Sequence, residues 1–90
     1  MEKHELAASV LAAFGGADNL IKLRYCASRI RAELRDAGRF LDRPGIEALD
    51  GVKALLEVET PRRTPEFQLV VGPGNARPLY LALIAVTGEK

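Results

Sequence analysis

Asn19-Leu20-Ile21-Lys22-Leu23-Arg24-Tyr25-Cys26-Ala27-Ser28-Arg29-Ile30-Arg31-Ala32-Glu33-Leu34-Arg35 is the stretch that decides the fold. From Ser28 to Arg35 the residue types alternate strictly. Ile30, Ala32 and Leu34 share one side of an extended chain, and Arg29, Arg31, Glu33 and Arg35 share the other. Asn19 to Arg24 reads as a second, short strand, and only Tyr25, Cys26 and Ala27 separate the two. So short a connection joins antiparallel neighbours, which puts Cys26 at the end of a hairpin. One face of that hairpin must be covered and the other, carrying Arg29 and Arg31, left open.

Outward from the hairpin, Leu6, Ala7, Val10, Leu11 and Phe14 recur at helical spacing, and Gly15-Gly16 ends that helix. On the other side, Asp42 is placed to cap a short helix with Pro44 in its first turn and Gly51 as its stop. Val52 to Glu59 and Phe67 to Val71 supply two more strands. Thr60-Pro61-Arg62-Arg63-Thr64-Pro65-Glu66 between them is expected to be an exposed loop, because its prolines disfavour a continuous ladder. Gly72-Pro73-Gly74-Asn75 turns into a last helix with an apolar stripe of Leu79, Tyr80, Leu83, Ile84 and Val86, ending near Gly88. The order α-β-β-α-β-β-α predicts an α+β fold, a four-stranded antiparallel sheet with three helices on one face.

Ninety residues fit a single domain spanning 1–90, with one modest core. Thirteen Lys and Arg against twelve Asp and Glu leave a net charge of +1, which speaks against a general nucleic-acid binder. No apolar run reaches the roughly 20 residues needed to span a bilayer, and the first ten residues lack the apolar stretch of a signal peptide, so the expected location is cytoplasmic, without membrane insertion. One Cys and one His exclude an internal disulfide and a multi-Cys zinc site, and no metal or cofactor is expected. Glu33, Asp36, Asp42 and Asp50 show no paired geometry for acid and base work and read as surface and capping residues.

Chemistry therefore converges on Cys26. Lys22, Arg24, Arg29, Arg31 and Arg35 crowd the sequence around it and favour an anion there. A phosphorylated thiol carries nearly two negative charges, and Arg forks and turn amides are donors suited to hold it. The bland alternative is a buried structural cysteine beneath a solvated arginine face. A redox-sensing thiol is a further alternative, weakened by the lack of a second, resolving cysteine.

Cys26-Ala27-Ser28-Arg29-Ile30-Arg31 resembles the signature of glucose-superfamily enzyme IIB domains, a cysteine followed by x-Thr-Arg-Leu-Arg, with Ser28 where threonine is usual. The resemblance extends back to Leu11-Ala12-Ala13-Phe14-Gly15-Gly16-Ala17-Asp18-Asn19, and forward to Gly51-Val52-Lys53, Phe67-Gln68-Leu69-Val70-Val71-Gly72 and Leu79-Tyr80. It departs at Tyr25, where a smaller or more polar residue is commoner, and at the Thr60 to Glu66 loop, which lacks the usual glycines.

What the resemblance implies is a phosphoryl carrier of a bacterial sugar phosphotransferase system of the glucose, N-acetylglucosamine, sucrose or β-glucoside type. Cys26 would accept phosphate from a phosphohistidine of enzyme IIA and pass it to a sugar held by membrane enzyme IIC. Arg29 and Arg31 would stabilise the transferring group, with the Ala27 and Ser28 amides binding phosphate. The domain would then lie against the inner face of the membrane through enzyme IIC. The alternative within the same fold is a regulatory domain that senses phosphotransferase flux without phosphorylating sugar.

Overall fold

Leu6, Ala7, Val10 and Ala13 are the buried residues of α1 (Lys3–Ala13), one turn apart along a single side, and the Glu2 carboxylate caps its start by accepting from the Glu5 N–H at 3.3 Å. The computed structural model describes residues 2–88. After α1 come β1 (Leu20–Tyr25), β2 (Arg29–Leu34), α2 (Arg43–Glu47), β3 (Ala54–Glu59), β4 (Pro65–Val70) and α3 (Ala76–Thr87), with single 3-10 turns at Ala17–Asn19 and Ala37–Arg39. The order α-β-β-α-β-β-α expected from hydrophobic periodicity is the observed one. The strands form one antiparallel sheet in the order β1-β2-β4-β3.

The alternation read in β2 holds. Ile30, Ala32 and Leu34 are wholly buried under the helices, and opposite two of them β4 places Leu69 and Phe67. Phe40, which follows the second 3-10 turn, stacks on Phe67 with ring centroids 4.3 Å apart and meets Phe14 of the α1 exit at 5.7 Å. This aromatic column joins helix layer to sheet. In β1 the pattern is irregular: the register with β2 slips between Leu20 and Lys22, so Leu20 and Leu23 both reach the core although three positions apart.

Asn19 holds the first hairpin to α1. Its buried amide donates to the Phe14 carbonyl at 2.7 Å and the Asp36 carbonyl at 3.0 Å, and its Oδ1 accepts from the Asp36 N–H at 3.0 Å. Gly15 makes that approach possible: its φ is +96°, and a Cβ there would lie 2.9 Å from the Arg39 carbonyl oxygen.

Two local expectations need correction. The segment from Thr60 to Glu66 is not all loop: Pro65 and Glu66 belong to β4, and the turn is only Thr60 to Thr64, closed by Thr60 N–H donating to Thr64 O at 3.0 Å. Pro65 is tolerated because it opens its strand, where a missing N–H costs no central ladder bond. In α3 the buried side is Ala76, Leu79, Ala82 and Leu83, whereas Val86, in the last turn, is exposed.

Candidate functional site at the β1–β2 hairpin

The Cys26 N–H donates to the Arg29 carbonyl at 3.0 Å, and this bond closes the hairpin. The Ser28 carbonyl accepts from the N–H groups of Val71 and Gly72 at 2.9 and 3.0 Å, which anchors the turn to the end of β4. Two donors are left over: among the described residues, the Ala27 and Ser28 N–H groups have no acceptor. Cys26 is exposed, which removes the buried structural cysteine from consideration, and its thiol has no partner among the described residues.

Strand alternation assigns the thiol to a face. Leu23 is buried and the Tyr25 ring packs against Tyr80 of α3 at 4.7 Å, so these two mark the helix side of β1. Lys22, Arg24 and Cys26 therefore belong to the open side. Cys26 stands across from Arg29 as the last pair of the hairpin, a position in which Cβ atoms lie about 5 Å apart. Arg31 is two residues further along the same face, paired with Arg24 of β1 and Gln68 of β4.

The open face is not a row of free arginines. Arg29 Nη1 donates to Gln68 Oε1 at 2.7 Å, Gln68 Nε2 donates to Glu66 Oε2 at 2.8 Å, and Glu66 Oε1 accepts from Arg24 Nη2 at 2.5 Å. Arg31 adds an ion pair to Glu66, Nε to Oε2 at 3.8 Å. Periodicity assigns Glu66 and Gln68 to the open face, since Phe67 and Leu69 turn inward, but only the pairing of β4 with β2 brings them beside Arg29 and Arg31. The pattern is visible only with Glu66 inside β4 rather than in the loop before it.

The cation cluster of the sequence disperses in space. Arg35 lies at the opposite end of β2, where its Nε donates to the Asp18 carbonyl at 2.9 Å, so it belongs to another neighbourhood than Cys26. Lys22, Arg24, Arg31 and Arg62 instead line an open depression with Glu33 and Glu66 between them.

Glu33 also departs from expectation. It is 2% exposed rather than a surface residue, because the β3–β4 turn folds over it: Thr64 Oγ1 donates to its Oε2 at 2.5 Å and the Arg62 guanidinium binds its Oε1. The Thr64 hydrogen bond, then Arg62, hold its carboxyl below the usual range against the opposing effect of burial. A lowered folded-state value means that stability from this group is present at neutral pH. It is lost as pH falls below about 4, the unfolded-state range, and on through the folded value. Urea denaturation followed from pH 7 to pH 3 should therefore show a steeper loss of stability for the parent than for Glu33→Gln, which is less stable at pH 7 and has no charge there to lose.

The phosphotransferase system EIIB family model matches residues 8–39, which run from α1 through the hairpin to the second 3-10 turn. The sucrose-specific EIIBC component of Pasteurella multocida (strain Pm70) is 30% identical over 98% of this chain. The N-acetylmuramic acid-specific EIIBC component of Aliivibrio fischeri (strain ATCC 700601 / ES114) is 38% identical over 76% of it, and the trehalose-specific EIIBC component of Bacillus subtilis (strain 168) 29% over 97%. The chain spans only 17%, 13% and 17% of these three relatives, respectively. Among solved structures, one domain of the PTS system IIabc component from Clostridium difficile superposes with a TM-score of 0.76 at 25% identity, covering 98% of this chain and 85% of that one. Fold, hairpin and similarity along nearly the full chain agree, and the chain belongs to the EIIB family of the sugar phosphotransferase system, of the glucose-superfamily type.

Proposed function

We propose that residues 1–90 form one phosphoryl-carrier domain that takes phosphate from a phosphohistidine of an EIIA component onto Cys26 and passes it to a sugar bound by an EIIC component. In loading, the P–N bond breaks as phosphorus bonds to Cys26 Sγ, and the thiol proton ends on the histidine. In the onward step a sugar hydroxyl oxygen bonds to phosphorus, the S–P bond breaks, and the hydroxyl proton ends on the thiol. The observation that carries this reading is the exposed Cys26 beside the unpaired Ala27 and Ser28 amides, with Arg29 across the hairpin. These groups supply what a dianion on sulfur needs: short N–H donors in a turn and a fixed cation.

Arg31 adds a second cation on the same face, held beside Glu66. No helix among the described residues is long and apolar enough to cross a membrane. The relatives' names join B and C components, so the EIIC partner would hold this domain at the cytoplasmic face of the membrane. No cofactor enters either step.

The test is phosphorylation from phosphoenolpyruvate through the general relay proteins and an EIIA. The parent should acquire one phosphate that survives acid and is released by iodine, the behaviour of a thiophosphate rather than a phosphohistidine. Cys26→Ser should acquire none. Equal labelling of parent and Cys26→Ser would remove Cys26 as the acceptor.

A further inference from the structure

In the open-face depression the acids lie beneath and the cations above. The side chains of Glu33 and Glu66 are 2% and 6% exposed, whereas those of Arg24, Arg31 and Arg62 are 44%, 40% and 64% exposed. All four carboxylate oxygens are engaged, those of Glu33 by Arg62 and Thr64 and those of Glu66 by Arg24 and Gln68. The donors are not used up. Among the described residues, Arg24 spends one of its five N–H groups, on Glu66. Arg31 spends none: its Nε lies 3.8 Å from Glu66 Oε2, too far for a hydrogen bond, and has no other acceptor. Lys22 is exposed and has no partner among the described residues.

The depression has a volume of about 410 Å³, in the range of small-molecule sites. Across the sheet, Lys22, Glu33, Glu66 and Val58 form one row, and Arg24, Arg31, Gln68 and Leu56 the next. Lys22, Arg24 and Arg31 therefore hold the β1–β2 side. The β3 side is lined by Glu59 and Thr60, with Arg62 from the turn beyond. Unspent N–H donors on one side suit a phosphate monoester, which accepts through three oxygens. A carboxylate and a hydroxyl on the other side suit the hydroxyl groups of a sugar.

We infer that this depression binds a sugar phosphate, its phosphate on Lys22, Arg24 and Arg31 and its sugar toward Glu59 and Thr60, and that the bound molecule slows loading of Cys26. The regulatory part rests on the phosphocysteine reading above, in which a sugar phosphate is the product. Arg24 and Arg31 form the cross-strand pair two residues along from Cys26 and Arg29, a separation of about 7 Å. That is within the Debye length of roughly 8 Å at physiological ionic strength, so a bound dianion repels a phosphoryl group arriving on the thiol. It also obstructs a partner that must reach Cys26 across the same face. By reciprocity, phosphate on Cys26 weakens binding of the sugar phosphate by the same factor.

The test is an NMR titration of the 15N-labelled chain at constant ionic strength with glucose 6-phosphate as the probe, and with inorganic phosphate and glucose alongside. Glucose 6-phosphate should shift the amide and side-chain signals of Lys22, Arg24, Arg31 and Arg62 saturably and bind more tightly than inorganic phosphate. Glucose should shift none of them. Lys22→Gln and Arg24→Gln should each weaken binding by roughly tenfold, the lower end for a hydrogen bond to a charged group, and added salt should weaken it further. In loading from phosphorylated EIIA, glucose 6-phosphate should raise the KM for the donor, and Lys22→Gln should require roughly tenfold more of it for the same inhibition.

Lys22→Gln is an exposed substitution, so its fold is not at risk. Shifts that do not saturate, shifts confined to Ala27 and Ser28, equal binding of inorganic phosphate and glucose 6-phosphate, or unchanged affinity in both variants would each overturn the sugar-phosphate site and leave Cys26 as the acceptor. Binding as expected with loading unaffected would overturn the inhibition. A parent protein that takes up no phosphate overturns the carrier reading and the regulation with it, while the titration, made on unphosphorylated protein, still decides the site.

Discussion

Arg29→Gln is expected to slow passage of phosphate from Cys26 to sugar by about a hundredfold to a thousandfold, the loss seen when a preorganised donor is removed from developing negative charge. Arg29 closes the hairpin through its carbonyl, pairs across from Cys26, and has its guanidinium held by Gln68 at 2.7 Å. In the proposed relay the phosphoryl group carries its charge on three equatorial oxygens during transfer, and a planar fork can meet two of them at once. Arg29→Lys should recover only part of the rate, because an ammonium keeps the charge without the fork.

Stability should change little. The side chain is partly exposed and the substitution leaves one Gln68 acceptor without its donor, a cost of about 1 kcal/mol. Arg35→Gln is the control: it removes a charge from the same strand face at the far end, where the guanidinium serves the Asp18 carbonyl. Single-turnover transfer to sugar, measured for the parent and the three variants, separates the outcomes. If Arg29→Gln and Arg35→Gln lose rate equally and slightly, the face acts as a diffuse positive field and Arg29 has no particular role.

The second large effect is on folding. Asn19→Ala should cost about 3–5 kcal/mol, because the side chain satisfies three backbone groups and each one stranded in the interior costs about 1–3 kcal/mol. Against the roughly 5–15 kcal/mol that holds a native domain together, and with a chain this small near the lower end, much of the protein would be unfolded at 37 °C. Asn19→Asp should be nearly as damaging, since its carboxylate would face the Phe14 and Asp36 carbonyls that now receive N–H donors. Urea denaturation followed by far-UV circular dichroism measures both. A loss below about 1 kcal/mol in Asn19→Ala would mean that the α1 exit and the β2 exit can find other partners.

Asn19 shows where reading a sequence loses its grip. At 0% exposure it is among the most buried polar residues of the chain, yet its letter, next to Asp18 and before an apolar run, reads as an ordinary strand entry. Its three bonds go to Phe14, five positions back, and to Asp36, seventeen positions on, and no local periodicity encodes such distances. Glu33 departs from the surface position expected of it for the same reason. Alternation assigned it correctly to the helix-free face, but its burial comes from Arg62 and Thr64 on a different hairpin. The site divides likewise: the place of Cys26 at a hairpin end is legible in one strand pair, whereas the exposure of its thiol comes with the fold and Gln68 and Glu66 arrive only when β4 pairs with β2.

Element order, the two faces of β2, the hairpin that carries Cys26 and the caps at Gly88 and Asp42 are legible in the chain's letters, because each depends on neighbours within a few residues. The strand order β1-β2-β4-β3, the meeting of Arg24, Arg29 and Arg31 with one buried Glu66–Gln68 pair, and the departure of Arg35 from the group come only with the packed fold. The reason is physical. Backbone periodicity sets which way a side chain points, but its partner is set by strands brought together through burial of Ile30, Ala32, Phe67 and Leu69, a nonlocal process in which the polar contacts of the opposite face follow the register that the core imposes.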